Sequence, residues 1–477
     1  MAERYIHSIG GYLPSLRLDR RVAASALRFS GLGGRRDGLR SVAGWDEDSL
    51  TLGVEAARGL TRDLATASEL VFASTSAYFL DRPQSAIMVD ALALPRTTRT
   101  IDVGGSRRSA TSALRRALEG LGDVLIVAGE RRETQAGSIQ QLAFGDGGAA
   151  VRIGDTGAAR YLGGASITHD FVDFYASRDH PTPYAYEERF IREAGTSEVF
   201  LPTITAALRD AGVKASRVAF AAVAEPLSGM YPSIARKLGL TAPNTATDLA
   251  THTGDLGAAH PIFALGLALD KASIGDFVLV AGFGGGCDAL LFEKTGPVDG
   301  TSALSAELET GQRLTDYVRF LNLSGAVDLA WGMRSEFEQK AQATVLDRHG
   351  RDIIGFIGGR DSKGNVQFPK SRIPVNPAIN APEQLSDVRL AEEIGEIVSV
   401  TADRLNFTPD PPFDFGLVQF ENGARVMMEF TDRSPHGFTV GDHVRMRLRI
   451  KSLDHRRGFR TYFWKAAPLE RPQLETL

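Results

Sequence analysis

Apolar residues follow two regimes along the chain. Up to about residue 300, stretches at helical spacing alternate with short, continuously apolar runs; beyond it, strict apolar–polar alternation takes over. The stretch IDVGGSRRSATSALRRAL, 101–118, shows the first regime. Ala110, Ala113, Leu114 and Leu118 recur at helical spacing, the preceding IDVGG reads as a strand and a tight glycine turn, and Ser106 or Ser109 serves as N-cap. A strand that passes through Gly-Gly into a helix start leaves free N–H groups able to stabilise an anion, a favourable place to expose a nucleophile. The side chains at this elbow are Ser106, Arg107, Arg108 and Ser109.

The same order of elements occurs twice. SALRRALEGLGDVLIVAG (112–129) and ALGLALDKASIGDFVLVAG (264–282) each read as a helix followed by a buried strand. Each leads into a glycine-rich phenylalanine turn and another apolar strand, FGDGGAAVRI (144–153) and FGGGCDALLF (283–292). Four features in one order predict a duplicated α/β unit. Past residue 300, SAELETGQRLTDYVRFLNL reads as a linker helix, and short β segments follow, punctuated by Gly, Pro, Asp and Asn. Alternation in RVMMEF and VRMRLRI around the ENG turn at 421–423 predicts a small antiparallel barrel, and the closely spaced strands fit an OB-like fold.

Composition narrows the class. At 477 residues, 43% apolar and 23% charged, the chain is long enough for several soluble globular domains. A net charge of −4 gives no bulk attraction to nucleic acid or anionic membrane, so neither is expected as a partner. There is no run of about 18 apolar residues and MAERYIHSIGGYLP lacks the apolar stretch of a signal peptide, so a cytoplasmic protein is expected. The single Cys287 excludes an internal disulfide and a Cys-rich metal site.

Over residues 4–295 the chain resembles the thiolase superfamily, closest to hydroxymethylglutaryl-CoA synthase and the ketoacyl synthase III group. The resemblance rests on GGYLPSLRL, WDEDSLTLGVEAAR, FASTSAYFLDRPQSAIMVDALAL, DVGGSRRSATSAL, FGDGGAAV, PSIARKLGL and the closing HTGDLGAAHPIFALGLALDKASIGDFVLVAGFGGGCDALLFE. It implies a duplicated αβαβα core, a homodimer through that core, and a coenzyme A thioester as substrate with no bound cofactor. The tail resembles the acyl-CoA-associated family that joins a rubredoxin-like zinc ribbon to an OB-fold, through KGNVQFP, GEIVSVTADRLNFTPDPPFDFGLVQFENGARV and GFRTYFW. The expected organisation is 1–155 and 156–300 for the two thiolase-like halves, 301–385 for the linker and degenerate ribbon, and 386–477 for the OB-fold.

The resemblance also exposes what is missing. Arg107 stands where relatives carry the nucleophilic cysteine, Thr75 where the acid/base glutamate belongs, Ala224 in place of the carbonyl-binding histidine, and Asp255 in place of an amide partner. Without these four groups the family's covalent mechanism has no machinery. Ser106 could replace the nucleophile only with an adjacent base, and otherwise caps the helix. His260, at the start of a helix, is a candidate base kept neutral by the helix dipole, or else a structural histidine. His252 and Tyr78 are weaker candidates, and Cys287 reads as a small buried apolar residue. Arg107 could pair with Asp255 and close the site, or bind a carboxylate or phosphate. Arg236 and Lys237 lie where relatives hold the CoA phosphates, unless they form a solvated helix face. The turn at Gly284, Gly285 and Gly286 offers backbone oxyanion donors. Segment 170–195 resembles the loop that caps the acyl pocket. In the ribbon, Arg360 and Lys363 replace the first cysteine pair and the second is absent from SRIPVNPAIN, so no zinc is expected. The alternating Arg445, Arg447, Arg449 and Lys451 could mimic a basic groove, but any half-exposed strand alternates in this way.

Two functions follow. One is an enzyme making or breaking a carbon–carbon bond on an acyl-CoA thioester without a cysteine nucleophile, with His260 and Asp255 supplying the base. The other is a catalytically degenerate subunit that scaffolds or channels acyl-CoA to an active thiolase-like partner protein.

Overall fold

The computed structural model of the chain describes residues 3–30, 37–60, 64–185, 187–329, 343–454 and 458–471. Part of the expected linker (330–342) and parts of the expected tail barrel (455–457 and 472–477) lie outside the described residues.

The duplication predicted by the sequence echo is visible in the strand order. The first half contributes β1 (Tyr5–Tyr12), β2 (Glu69–Ala73), β3 (Arg99–Val103), β4 (Val124–Glu130) and β5 (Gly147–Gly154). From the second half come β6 (Ala159–Thr168), β7 (Val218–Val223), β8 (Phe277–Phe283) and β9 (Gly286–Lys294). Their order is β7-β8-β9-β6-β1-β5-β4-β2-β3. Read outward from the centre, each half repeats one arrangement, and a backbone bridge from Ala221 to Asn244 fills in the second half the edge position that β3 fills in the first. The halves join at a corner where β1 and β6 share only the pairs Tyr5–Arg160 and Ile6–Ala159.

Helices sandwich and separate the two limbs of this nine-stranded sheet, a first sheet β1-β5-β4-β2-β3 and a second β6-β9-β8-β7. The echoed helices α3 (Ser109–Glu119) and α6 (Ala259–Lys271) lie between them, and α6 is buried from Ala259 to Leu269. In this central layer Val71, Leu114 and Ile126 of the first half mix with Ile262, Val278 and Leu290 of the second. Outside the first sheet pack α1 (Ser49–Arg58) and α2 (Gln84–Ala91), outside the second α4 (Leu201–Asp210) and α5 (Tyr231–Leu238). Because helices cover both faces, strands such as β4 are buried at every position and read as unbroken apolar runs.

The expected linker helix is divided. Two helices, Thr301–Glu309 and Tyr317–Leu323, flank a strand at Gln312–Leu314. Gly311 takes φ +137° and lets the chain turn, after which Gln312–Leu314 pairs in parallel with Leu16–Leu18.

After α7 (Ala343–Ile354), the tail forms a three-stranded sheet of β10 (Ile357–Arg360), β11 (Val366–Gln367) and β12 (Ser386–Arg389). A five-stranded sheet follows, made of β13 (Gly395–Asp403), β14 (Phe413–Phe420), β15 (Arg425–Glu429), β16 (His443–Asp454) and β17 (Phe459–Pro468). Its order is β15-β14-β13-β16-β17, and a parallel bridge from Phe430 to Ala466 closes it into a barrel.

This tail shares one hydrophobic core with α1 and α2: Trp464, Phe356, Val444 and Met446 continue the cluster of Leu50, Leu52 and Met88. Trp464 is fully buried, donates its indole N–H to Ile354 O (2.7 Å) and lies under the Arg58 guanidinium. Around that core runs a set of ion pairs. Lys465 binds Asp46 (2.9 Å), Arg449 binds Glu47 (3.1 Å), Arg460 binds Asp48 (2.9 Å) and Arg447 binds Glu55. Two members of the basic strand, Arg447 and Arg449, are therefore spent on the acidic WDEDSLTLGVE segment of the first half. Arg445 stays exposed and donates to Leu469 O.

Candidate functional site

The elbow folds as the sequence suggests. β3 runs out into Gly104-Gly105, Gly105 takes φ +79°, and three residues lead into α3. No side chain caps α3 at its N-cap Arg108; instead Ser106 Oγ accepts from Arg108 N–H (3.2 Å) and its hydroxyl donates to Gly284 O (2.7 Å). Ser106 thus spends its proton on a carbonyl of the second half.

Arg107, at the elbow, reaches a cluster rather than solvent. Its guanidinium binds Asp255 Oδ2 (3.3 Å) and Asp173, and lies 4.8 Å from the Phe174 ring centre. Arg132 enters from beyond the end of β4, binds the same Asp255 Oδ2 (3.3 Å) and Asp255 O, and sits 3.6 Å over Phe144. Asp255 is fixed by its own backbone: its N–H donates to Ala143 O (2.8 Å), its carbonyl accepts from Gly145 N–H (2.9 Å), and its Oδ1 accepts from Gly257 N–H (2.9 Å). Burial works against its charge, yet Arg132 and Arg107 more than compensate and hold the carboxyl well below the usual range. The pairing of Arg107 with Asp255 that the sequence raised is formed.

The elbow before α3 and the Asp255 turn before α6 occupy equivalent places in the two halves. Each is stitched to the glycine turn of the other half, Ser106 to Gly284 and Asp255 to Phe144-Gly145. The Arg107–Asp255 ion pair then spans the two turns.

His260 lies beside this pair, with Nδ1 4.0 Å from Asp255 Oδ1, but both its nitrogens serve the backbone. Nε2 donates to Ala246 O (2.9 Å) and Nδ1 accepts from Leu256 N–H (3.2 Å), which assigns the Nε2–H tautomer and leaves no lone pair for a substrate proton. Burial lowers its pKa, with Asp255 opposing.

Among the other sequence candidates, Gly284 N–H donates to Gly286 O (2.9 Å), so this donor is engaged within the turn. Gly285 O accepts from His169 N–H (3.3 Å), which holds the turn against the start of the capping segment. Arg236 and Lys237 are exposed in the last turn of α5 and share no hydrogen bond or ion pair with the cluster among the described residues. His252 is exposed and bonds Asp248 O within its own helix. Tyr78 lies under Arg460 of the barrel (3.5 Å to the ring centre). Burial pushes the Cys287 thiol far up.

Sequence reading missed Glu130. It ends β4, is fully buried, and lies against Thr75. Its carboxylate accepts from Thr75 N–H (2.8 Å), Thr75 Oγ1 (3.0 Å), Ser76 Oγ (2.7 Å) and Ala258 N–H (3.2 Å) at the start of α6. Burial raises its pKa, with Arg132 opposing. The available signal was a carboxylate closing the otherwise apolar run VLIVAG.

The described part of segment 170–195 meets the elbow through Asp173 and Phe174, both against Arg107. Short strands at Phe174–Tyr175 and Tyr184–Ala185 pair as a flap, Phe174 packs edge-on against Phe144 (5.7 Å), and Phe171 stacks on Phe190 (4.9 Å). Among the described residues no group of three or more His, Cys, Asp or Glu is placed to hold a metal. In the tail, the turn after β10 is closed by Asp361 Oδ1, which accepts from Lys363 N–H and Asn365 N–H (both 2.9 Å).

The layered, duplicated core with its elbow has a thiolase-like fold of the hydroxymethylglutaryl-CoA synthase kind. The chain is similar to the hydroxymethylglutaryl-CoA synthase of Aeropyrum pernix, 28% identical over 322 residues that make up 64% of this chain and 88% of that protein. Among solved structures it is similar to an HMG-CoA synthase complexed with CoA (TM-score 0.58, 15% identity, 71% of this chain and 94% of that one). It is also similar to the curacin-pathway HMG synthase in complex with an acetyl donor-ACP (TM-score 0.57, 17% identity, 74% and 95%). No family model matches the chain.

Proposed function

We propose that the protein handles acyl-CoA thioesters at the elbow without forming an acyl-enzyme, and makes or breaks a carbon–carbon bond by acid–base chemistry. The observation that carries this reading is Arg107, which stands at the elbow pinned between Asp255 and Asp173. Ser106 and Cys287 offer no substitute, since one hydroxyl is committed to Gly284 O and the other group is a buried thiol with a raised pKa. In this reading Glu130, with its burial-raised pKa, is the acid/base. Arg236 and Lys237 receive the CoA phosphates, the core forms a homodimer, and the barrel is an OB-type fold, a reading supported by its strand order and closing bridge.

Incubation with acetyl-CoA followed by intact-mass analysis tests the central claim. The expected spectrum contains unmodified protein alone; an acetyl adduct on Ser106 or Cys287 overturns it. Replacing Arg236 and Lys237 together by alanine is expected to weaken CoA binding about tenfold, read by titration calorimetry.

The saturation of Glu130 by four donors favours a second reading, a non-catalytic subunit that presents acyl-CoA to an active thiolase-like partner protein. Glu130→Gln separates the two: it abolishes acyl-CoA turnover in the first and leaves copurification with the partner intact in the second.

A further inference from the structure

Glu130 takes most of its donors from a segment that has no backbone ladder of its own. Between β2 and α2 the N–H groups of Thr75, Ser76 and Tyr78 go to side chains: Glu130 (2.8 Å), Ser74 Oγ (3.0 Å) and Gln84 Oε1 (3.2 Å). Among the described residues, no N–H from Thr75 to Leu80 donates to a backbone carbonyl. The placement of this segment therefore depends on side-chain contacts at its two ends. At the near end Ser76 Oγ donates to Glu130, and Ser49 Oγ holds Ser76 O (3.0 Å). The far end rests on the barrel, where the Phe79 ring lies 5.8 Å from Phe459 and the Arg460 guanidinium lies 3.5 Å over the Tyr78 ring. Arg460 is itself a fixed post. It binds Asp48 Oδ2 (2.9 Å), which also accepts from the Tyr462 hydroxyl (2.8 Å), while Asp48 Oδ1 caps α1 through Thr51 N–H (3.1 Å).

We propose that Arg460 is a positioning residue for Glu130, and that the barrel acts on the acid/base by clamping segment 75–79 against it. A guanidinium over a ring face is attracted by the ring's quadrupole, more strongly where water is excluded, and Arg460 is only 21% exposed. Three of the four donors to Glu130 belong to the clamped segment, namely Thr75 N–H, Thr75 Oγ1 and Ser76 Oγ. The fourth, Ala258 N–H, comes from the start of α6 and is independent of the barrel. Release of Tyr78 would let the segment draw its three donors away from the carboxylate. The barrel thus governs how well the protein solvates a buried acid that it does not touch. This inference rests on the reading of Glu130 as the acid/base.

Infrared titration of the carboxyl groups in the full chain tests it, with Glu130→Gln as the subtraction that assigns Glu130. The segment's donors favour the charged form, so Arg460→Ala is expected to raise the Glu130 midpoint by about one pH unit. Arg132, the charged neighbour of Glu130, is untouched in every variant. Arg460→Lys keeps a cation over the ring and should restore most of the difference. Arg445→Ala, elsewhere on the barrel, should leave the midpoint unchanged. If Arg460→Ala does not fold, Tyr78→Leu against Tyr78→Phe decides, since only loss of the ring should move the midpoint. A midpoint that stays in place in Arg460→Ala, or failing that in Tyr78→Leu, overturns the inference even where the chain turns over acyl-CoA. A midpoint that rises in a chain with no acyl-CoA turnover leaves the positioning role standing and overturns the acyl-CoA reading.

Discussion

Asp255 carries much of the site's electrostatics, since Arg107 and Arg132 both lean on it. Its replacement by alanine leaves two guanidiniums short of an anion in a mostly buried place. Asp255→Ala is expected to destabilise the fold by about 3 kcal/mol, read as a shift in urea midpoint at unchanged slope. His260 makes a prediction of opposite character. Its folded-state pKa lies below the ordinary 6.5, so below about pH 6.5 the unfolded chain binds a proton that the folded chain refuses. Stability should therefore fall on acidification from pH 7 to 5.5, and His260→Gln should flatten that slope by up to about 1 kcal/mol per pH unit. The Arg107–Asp255 contact was legible in the sequence because both residues precede echoed helices. The commitment of His260 was not, because its partner Ala246 O lies in another helix and only packing brings the two together. Glu130 escaped for a similar reason: its donors come from 75, 76 and 258, and no local pattern joins them.

At the scale of elements, the turn between β8 and β9 shows how much the site depends on missing side chains. A Cβ on Gly286 would stand 2.0 Å from Ile167 O, and one on Gly284 would stand 2.4 Å from Ser106 Oγ. Gly286→Ala is expected to cost about 2 to 4 kcal/mol, since it meets backbone at φ +119°, and to lower the melting temperature by several degrees. Helix and strand types in the core were legible from periodicity, because buried parallel strands and sandwiched helices carry unmistakably different spacing of apolar residues. The linker was not: 305–323 keeps a helical pattern through residues that the structure gives to a strand, whose partner is Leu16–Leu18, nearly 300 positions upstream.

For the whole molecule, the barrel and the first half share one core and should unfold as one cooperative body. Trp464→Ala should remove the centre of their shared core and destabilise the protein by about 3 to 5 kcal/mol, read in one melting transition rather than two. Acid should attack the same junction. Burial opposes ionisation of Glu55, but Arg58 and Arg447 more than offset it and carry its pKa down to about 2. The stability that Glu55 contributes is present above its unfolded value near 4.5 and is lost as pH falls from there toward 2. Alternation in the tail announced a small barrel, yet it could not say which side of the basic strand faces the core. That choice lies in the acidic DED of the first half, about 400 residues away.

The stitching of each helix-entry turn to the other half's glycine turn has a consequence for descent. A protein assembled from two copies of one ancestral unit begins with like residues at like places. Here those places have diverged to opposite charge, arginine on one side and aspartate on the other. Two copies of the first half, brought together in the same way, would set Arg107 against its own duplicate, and two of the second would oppose aspartates. The halves have become an obligate unlike pair, held within a single chain.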